Sequence, residues 1–476
     1  MTAVIEVRNP YTGKRDYSFE DPAPADIVAA ASHVRRNQPI WAAFTLDKRL
    51  KCLEAFAAAI SRNRDAILAA LIQDTGRITV ANMELDALDA FIQRTLKDAP
   101  AALAASQPQT ASVPIVEGSS NHKPYGVVGN ISPWNFPIIL SFLDTFPALA
   151  AGNAVLIKPS EVTPRWVEPM RSAIAECPEL ADVLGIVVGT GQAGAAVVEQ
   201  VDAVVFTGSV TTGRKVAEAA AKQFIPAFLE LGGKDPAIVL ASADIALAAR
   251  TTTFCSVQSA GQACQSLERI YVAREHYEEF VDLAVTTAEN LEINYPDMDT
   301  GVVGPFIFED QGAIVLRQLA DAKGAGATIH CGGELLNHGG FWMRPTVVTD
   351  VTHEMSLMQD ETFGPVMCIM PFDSEDEAIR LANDSQYGLS AAVFAGTVDE
   401  GREFARTIHA GAISVNDAAL TVLIHEFEHD AFGLSGMGAS RAGLSAYTRF
   451  TRKQAVMVNV ADQPLLPTAF GKTGPN

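Results

Sequence analysis

A thiol and a carboxylate are the residues of this sequence whose types and settings could do covalent chemistry. Six cysteines, Cys52, Cys177, Cys255, Cys264, Cys331 and Cys368, lie scattered with no C-x-x-C pair. That spacing suggests neither a disulfide framework nor a zinc knuckle and leaves a reactive thiol to consider. Cys264 stands in Ser259-Ala-Gly-Gln-Ala-Cys-Gln-Ser266, a polar, small-residue stretch on which a thiol could be exposed. Cys255, beside Phe254 and Val257, fits the commoner state of cysteine, a small buried hydrophobe. A thiolate nucleophile needs a base. Glu230 closes the apolar run Phe228-Leu-Glu-Leu-Gly-Gly233, where desolvation would raise its pKa toward a useful value; a carboxylate there would serve equally to cap the turn.

Two glycine turns could receive a phosphate. Gly189-Thr-Gly-Gln-Ala-Gly194 is a literal G-x-G-x-x-G between a strand and a helix, but it lacks the acidic residue about 20 positions on and reads equally as a tight strand-to-helix turn. Phe206-Thr-Gly-Ser-Val-Thr-Thr-Gly213 also follows a strand and opens a helix, so its N–H groups and hydroxyls could hold a pyrophosphate.

These groups must be positioned by a scaffold. Residues 23 to 105 show apolar positions at helical spacing and read as several amphipathic helices. From 126 to 240 short β-branched runs alternate with helical ones, and a second such series follows the turn Leu231-Gly-Gly-Lys-Asp-Pro236. Alternation of this kind predicts an α/β fold with parallel sheets. The length of 476 residues leaves room for two to four domains of about 150 residues. With 56 acidic against 35 basic residues the net charge is -21, which argues against nucleic acid or an anionic membrane and for a small-molecule partner. The amino-terminal residues do not read as a secretory leader and no apolar stretch is long enough to span a membrane, so a cytoplasmic location is expected.

The phrases Ile131-Ser-Pro-Trp-Asn-Phe-Pro137, Lys158-Pro-Ser-Glu161, Phe206-Thr-Gly-Ser209, Glu230-Leu-Gly-Gly-Lys234, Gly261-Gln-Ala-Cys264 and Glu361-Thr-Phe-Gly-Pro365 occur in that order. In order and spacing they resemble the motif series of the aldehyde dehydrogenase superfamily, over nearly the whole chain. The resemblance implies a Rossmann-like NAD-binding domain (1–104 and 124–232), an α/β catalytic domain (233–455) and a small β oligomerisation arm (105–123 and 456–476) that would build a homodimer or homotetramer. It makes Cys264 the nucleophile, Glu230 the general base, and the Asn135 side chain with the Cys264 N–H the oxyanion hole. For the cofactor it puts Lys158 and Glu161 on the adenosine ribose, Ser209 and the Gly208 to Gly213 turn near the pyrophosphate, and Glu361 on the nicotinamide ribose, with Ile131, Trp134, Leu231 and Phe363 around them. Gly189 to Gly194 becomes a neighbouring turn.

Two departures from the family pattern bear on the substrate. Gln265 follows the nucleophile, where a small residue or cysteine is usual, and His425-Glu-Phe-Glu-His-Asp-Ala-Phe-Gly-Leu-Ser-Gly436 replaces the usual Pro-Phe-Gly-Gly stretch. The spacing of His425 and His429 is weak evidence for a metal, and a solvated loop is the preferred reading, with no metal expected. Asn416, in Ile413-Ser-Val-Asn, keeps the pattern. By position, Phe136, Leu140 and Leu143 should face the tunnel, Gln258 and Gln265 the thiol, and Thr421 to Phe427 the mouth. None of these is Arg or Lys, so an aromatic or medium-chain aldehyde is expected over an anionic semialdehyde. NAD is expected over NADP because Glu161 would meet a 2′-phosphate with like charge. The rivals are a coenzyme A-acylating enzyme of the same fold, against which Glu230 speaks, and a non-catalytic protein that retains the fold.

Overall fold

The computed structural model describes residues 3–462 and 465. Its first layer is helical: Pro24–Ala43, Leu46–Arg62, Arg64–Thr75 and Ile78–Ala102 occupy the stretch with helical apolar spacing. Leu53, Phe56, Ala59 and Ile60 recur three and four apart on the second helix and form its buried stripe. Its start is fixed by Thr45, whose hydroxyl accepts the Lys48 N–H.

These helices cover a sheet in the spatial order Gly436–Met437, Ala227–Glu230, Ala203–Thr207, Val127–Ile131, Ala154–Lys158, Leu184–Ile186. All neighbours are parallel except the short first strand. Three strands, Val127–Ile131, Ala154–Lys158 and Ala203–Thr207, are buried at every residue, as near-continuous β-branched and aliphatic runs require in a sheet covered on both faces. The chain moves outward from Val127–Ile131 to Leu184–Ile186, then returns to the other side of Val127–Ile131. That reversal opens a crevice at the carboxyl ends of the strands, where Ile131, Lys158 and Glu230 stand.

A second sheet runs Thr328–Cys331, Thr346–Thr349, Val366–Phe372, Leu267–Ala273, Asp235–Val239, Ser390–Phe394, Ala412–Val415, with only the first pair antiparallel. The Rossmann-like first sheet and this second one agree with the expected α/β class. An antiparallel ribbon pairs Val116–Pro124 with Thr451–Asn459, and Gln109–Thr110 adds a third strand.

One boundary differs from expectation. The catalytic unit was expected to run to 455, yet Gly436 and Met437 pair with Glu230 and Leu229, and Ala446, Tyr447 and Phe450 pack in the core of the first unit. The ribbon strand then begins at 451 rather than 456. Apolar spacing in this return segment says that it is buried, but not against which sheet. Of the tail assigned to the arm, residues 463–464 and 466–476 lie outside the described residues.

Candidate active site

The loop that carries Cys264 is made by a tight reversal. The helix Ile245–Val257 ends and Ser259, Ala260 and Gly261 follow with φ of 55°, 56° and 69°. Left-handed backbone is unfavourable for Ser and Ala, so the surroundings must hold it. A Cβ at Gly261 would fall 2.0 Å from the Gly364 carbonyl oxygen, so only glycine fits. The buried Gln262 amide clamps the reversal: it donates to Ser259 O (2.9 Å) and Pro305 O (3.2 Å) and accepts from Ile307 N (2.9 Å).

Asn135 enters from the first unit. Its Nδ2 donates to Gln262 O at 3.0 Å, which ties the expected oxyanion donor to the loop two residues before Cys264. An amide nitrogen carries two hydrogens, so one remains for a ligand. Asn135 is itself held by Arg77, whose Nη2 donates to the Asn135 carbonyl at 2.5 Å. Arg77 Nε and Nη1 are buried without partners, and burial lowers its pKa to about 10.

Burial pushes the Cys264 thiol up to about 12, with Asp235, Glu361 and Glu230 adding to the rise and Arg441 opposing it. Cys255 is also raised to about 12 by burial, but its Sγ faces Ala418 O at 3.1 Å. Acidity therefore does not separate the two thiols; exposure and neighbours do, since Cys264 is half-buried and Cys255 buried.

Glu230 lies at the end of its strand, three residues before the point where Gly233 passes the Cys264 carbonyl: a Cβ on Gly233 would sit 2.6 Å from that oxygen. Its setting corrects the expectation of an apolar, desolvated carboxylate. Glu230 Oε1 is 3.7 Å from both Arg441 Nε and Arg449 Nη1. Sequence reasoning missed both arginines and Asp144, which pairs with both.

On the cofactor side, Lys158 Nζ pairs with Glu161 at 2.8 Å; the lysine is buried and the glutamate half-exposed. Ser209 caps the helix Val210–Gln223 by accepting the Thr212 N–H. Gly213 lets that helix close on Leu231, since a Cβ there would meet the leucine at 2.5 Å. Glu361 is half-buried, accepts the Gly233 N–H at 3.2 Å, and is raised to about 8 by desolvation and by Glu268. Its segment is fixed by the buried pair Lys234–Glu268 (2.6 Å), with Glu268 accepting the N–H groups of Thr362 and Phe363. Phe363 and Trp134 meet edge to face at 5.4 Å, and Ile131 and Leu231 are buried. These donors, and carboxylates able to accept from ribose hydroxyls, are groups that could hold a dinucleotide at the crevice. The Gly189 to Gly194 turn does not: Asp21 already accepts the Thr190 N–H (2.9 Å) and hydroxyl (2.8 Å) and would repel a phosphate.

Of the residues expected around the substrate, Leu140 and Leu143 are buried, Phe136 is half-buried under the Arg77 guanidinium, and Phe427 is exposed. Gln265 accepts a hydrogen bond from Thr421 (3.0 Å), joining the Cys264 loop to the segment expected at the mouth. Gln258 lines a cavity of about 390 Å³ with Ile78, Val80, Met83, Phe254 and Val302. Arg77, Arg250, Asp417 and Cys255 also reach its wall, whereas Cys264, Phe136, Leu140, Leu143 and Gln265 are not among its lining residues, so this cavity leaves the expected tunnel lining as it stood. His425 packs edge to face on Phe91 at 5.6 Å, and burial, then Arg94 and Arg441, lower its pKa to about 4. His429 Nδ1 lies 3.1 Å from Phe427 O. Asn416 closes a strand end, accepting the Ala395 N–H. Among the described residues no group of three or more His, Cys, Asp or Glu side chains is arranged to hold a metal ion, and no helix is long and apolar enough to cross a membrane.

Residues 2–456 match the model of the Aldehyde dehydrogenase family. A protein of Mycolicibacterium smegmatis with the provisional name succinate-semialdehyde dehydrogenase [NADP(+)] is 36% identical over 454 residues, 94% of this chain and 87% of that protein. The solved structure of PutA from Anabaena variabilis, provisionally named an aldehyde dehydrogenase, superposes with a TM-score of 0.95 at 48% identity, over 97% of this chain and 99% of that one. An aldehyde dehydrogenase from Bacillus cereus, solved as its NAD+ complex, gives a TM-score of 0.88 at 32% identity over 96% and 94%.

Proposed function

The chain belongs to the aldehyde dehydrogenase family, and from that premise we propose that it oxidises an apolar aldehyde to the carboxylic acid through a thioester on Cys264. The observation that carries this reading is the convergence of three segments: Asn135 bonded to the nucleophile loop, Gly233 packed on the Cys264 carbonyl, and Glu230 at the end of the strand leading into it.

The Cys264 thiolate adds to the carbonyl carbon, and the resulting alkoxide is held by the Asn135 amide and the Cys264 N–H, donors fixed before the charge develops. A nicotinamide cofactor, held by the residues named below, would supply the hydride acceptor for this centre. Glu230 then removes a proton from water, which attacks the thioester, expels the Cys264 thiolate and releases the acid. Lys158 and Glu161 would hold the adenosine ribose, Ser209 and the helix start behind it the pyrophosphate, and Glu361 the nicotinamide ribose.

NAD is the preferred cofactor in this reading. The Glu161 carboxylate occupies the Lys158 ammonium, the cation that a 2′-phosphate would seek. For the substrate, the apolar Phe136 beside Asn135 and the exposed Phe427, with no Arg or Lys among the expected tunnel positions, favour an aromatic or medium-chain aldehyde. Arg77, bonded to the Asn135 carbonyl, and the name of the Mycolicibacterium relative favour a second reading, a semialdehyde bearing a carboxylate. Rates of NADH formation with hexanal, benzaldehyde and succinic semialdehyde decide between them: the proposal expects higher kcat/KM for the first two, and a higher value for the semialdehyde contradicts it. No NADH from any aldehyde would return the chain to the non-catalytic reading. The ribbon strand Thr451–Asn459 exposes Val456, Met457 and Val458, which suits a second subunit, and sedimentation at a dimer or tetramer mass is the expected result.

A further inference from the structure

The two guanidinium groups beside Glu230 belong to a compact buried cluster. Asp144 binds both of them, one through each carboxylate oxygen: Arg441 Nη2 donates to Oδ2 and Arg449 Nη2 to Oδ1. Arg441 Nη2 also reaches Thr207 Oγ1 at 3.4 Å, and Arg449 Nη1 donates to Ala439 O at 3.0 Å. The side chains of Arg441, Arg449 and Asp144 are 14%, 0% and 4% exposed. The Arg441 atom facing Glu230 is Nε, 3.7 Å from Oε1, and it is buried without a hydrogen-bond partner. Asp144 thus fixes one edge of the Arg441 fork and leaves a donor turned to Glu230.

The same arginine bears on the thiol. Asp235, Glu361 and Glu230 all oppose a negative sulfur at Cys264, while Arg441 favours it. Arg449 and His425 also lie within electrostatic reach of Arg441.

We propose that Arg441 is a positioning residue for the reaction: clamped by Asp144, it orients the Glu230 carboxylate and lends the Cys264 thiolate a positive charge from across the cleft. This rests on reading Cys264 as nucleophile and Glu230 as base. Arginine suits the task because its planar fork can face two carboxylates at once, whereas the lysine ammonium is a single point charge.

The test compares Arg441→Gln and Arg441→Lys with the intact enzyme by two measurements: the pH midpoint of Cys264 alkylation by iodoacetamide, mapped by mass spectrometry, and the NADH burst and steady rate with hexanal. In Arg441→Gln the midpoint should rise by about one pH unit, and the steady rate should fall roughly tenfold or more relative to the burst. Arg441→Lys should restore the midpoint and only part of the steady rate. A native midpoint with a native ratio of burst to steady rate in Arg441→Gln overturns the proposal. So does a native midpoint with burst and steady rate reduced in parallel in both variants, the mark of a merely structural residue. Alkylation needs no aldehyde chemistry, so an intact enzyme that forms no NADH would count against the proposed function while the midpoint still judges Arg441.

Discussion

Two sets of acids at the cleft, those around Cys264 and the one beside Glu230, are accommodated in opposite ways. Around Cys264, contributed by the second unit, the neighbours are acids: Asp235 and Glu361 are each raised to about 8 by burial. Around Glu230, contributed by the first unit, Asp144 is just as buried, yet Arg441 and Arg449 hold its pKa below the usual carboxylate range. Asp235 and Glu361 favour the protonated form, whereas Asp144 is kept charged by ion pairing. The comparison teaches that, among the charges that bear most on the Cys264 thiol, the one that favours its anion is Arg441, carried by the return segment that pairs with the first sheet.

The largest effect should come from the proposed nucleophile. Cys264→Ala should lower NADH formation by at least about a thousandfold, because no other group can form the thiohemiacetal, and should abolish covalent labelling by substrate. Cys255→Ala, at an equally weak acid with a packing role, should retain most of the rate. Comparable losses in the two variants would erase the distinction drawn between the thiols.

On the ion-paired side, Asp144→Ala leaves two buried cations without their shared partner and should reduce stability by about 3–5 kcal/mol, read from urea unfolding. Its counterpart, Asp235→Asn, should be mild at pH 7, since a carboxyl with a pKa of about 8 is already mostly protonated there. The sign of its pH dependence is distinctive. A carboxyl raised above its unfolded value favours folding fully below that value and loses the contribution as pH rises to about 8, so Asp235→Asn should flatten a fall in stability across that window. Equal destabilisation by the two substitutions at pH 7 would break the comparison.

The smallest expected effect concerns cofactor choice. Glu161→Gln removes the like charge and frees Lys158, and should raise kcat/KM for NADP relative to NAD by roughly tenfold. An unchanged ratio would take Glu161 out of the discrimination.

The sequence disclosed what local pattern controls. Helical spacing over 23 to 105 corresponds to the four helices between Pro24 and Ala102, and the β-branched runs from 126 onward to buried strands such as Val127–Ile131 and Ala203–Thr207, because periodicity and side-chain type act over neighbours. The residues Cys264, Glu230 and Asn135 were legible through motif spacing. Arg441, Arg449, Asp144 and Arg77 were not. Asp144 and its two arginines are separated by 297 and 305 residues, and nothing local marks an arginine as half of a buried pair. The return of Gly436 to the first sheet was hidden for the same reason: Met437 carries no sign of the strand it will join. A Pro-Phe-Gly-Gly pattern replaced by an acidic, histidine-bearing loop was the one local hint that this wall of the site is built differently.

The claim that Cys264 and Glu230 divide acyl formation and hydrolysis is tested most directly by a rapid-mixing measurement of NADH on Glu230→Gln. The variant should give a burst near one NADH per active site and then stall, because the thioester forms but water lacks its base. Steady turnover at the unmutated rate, or an intact enzyme that turns over only with added coenzyme A, would contradict it.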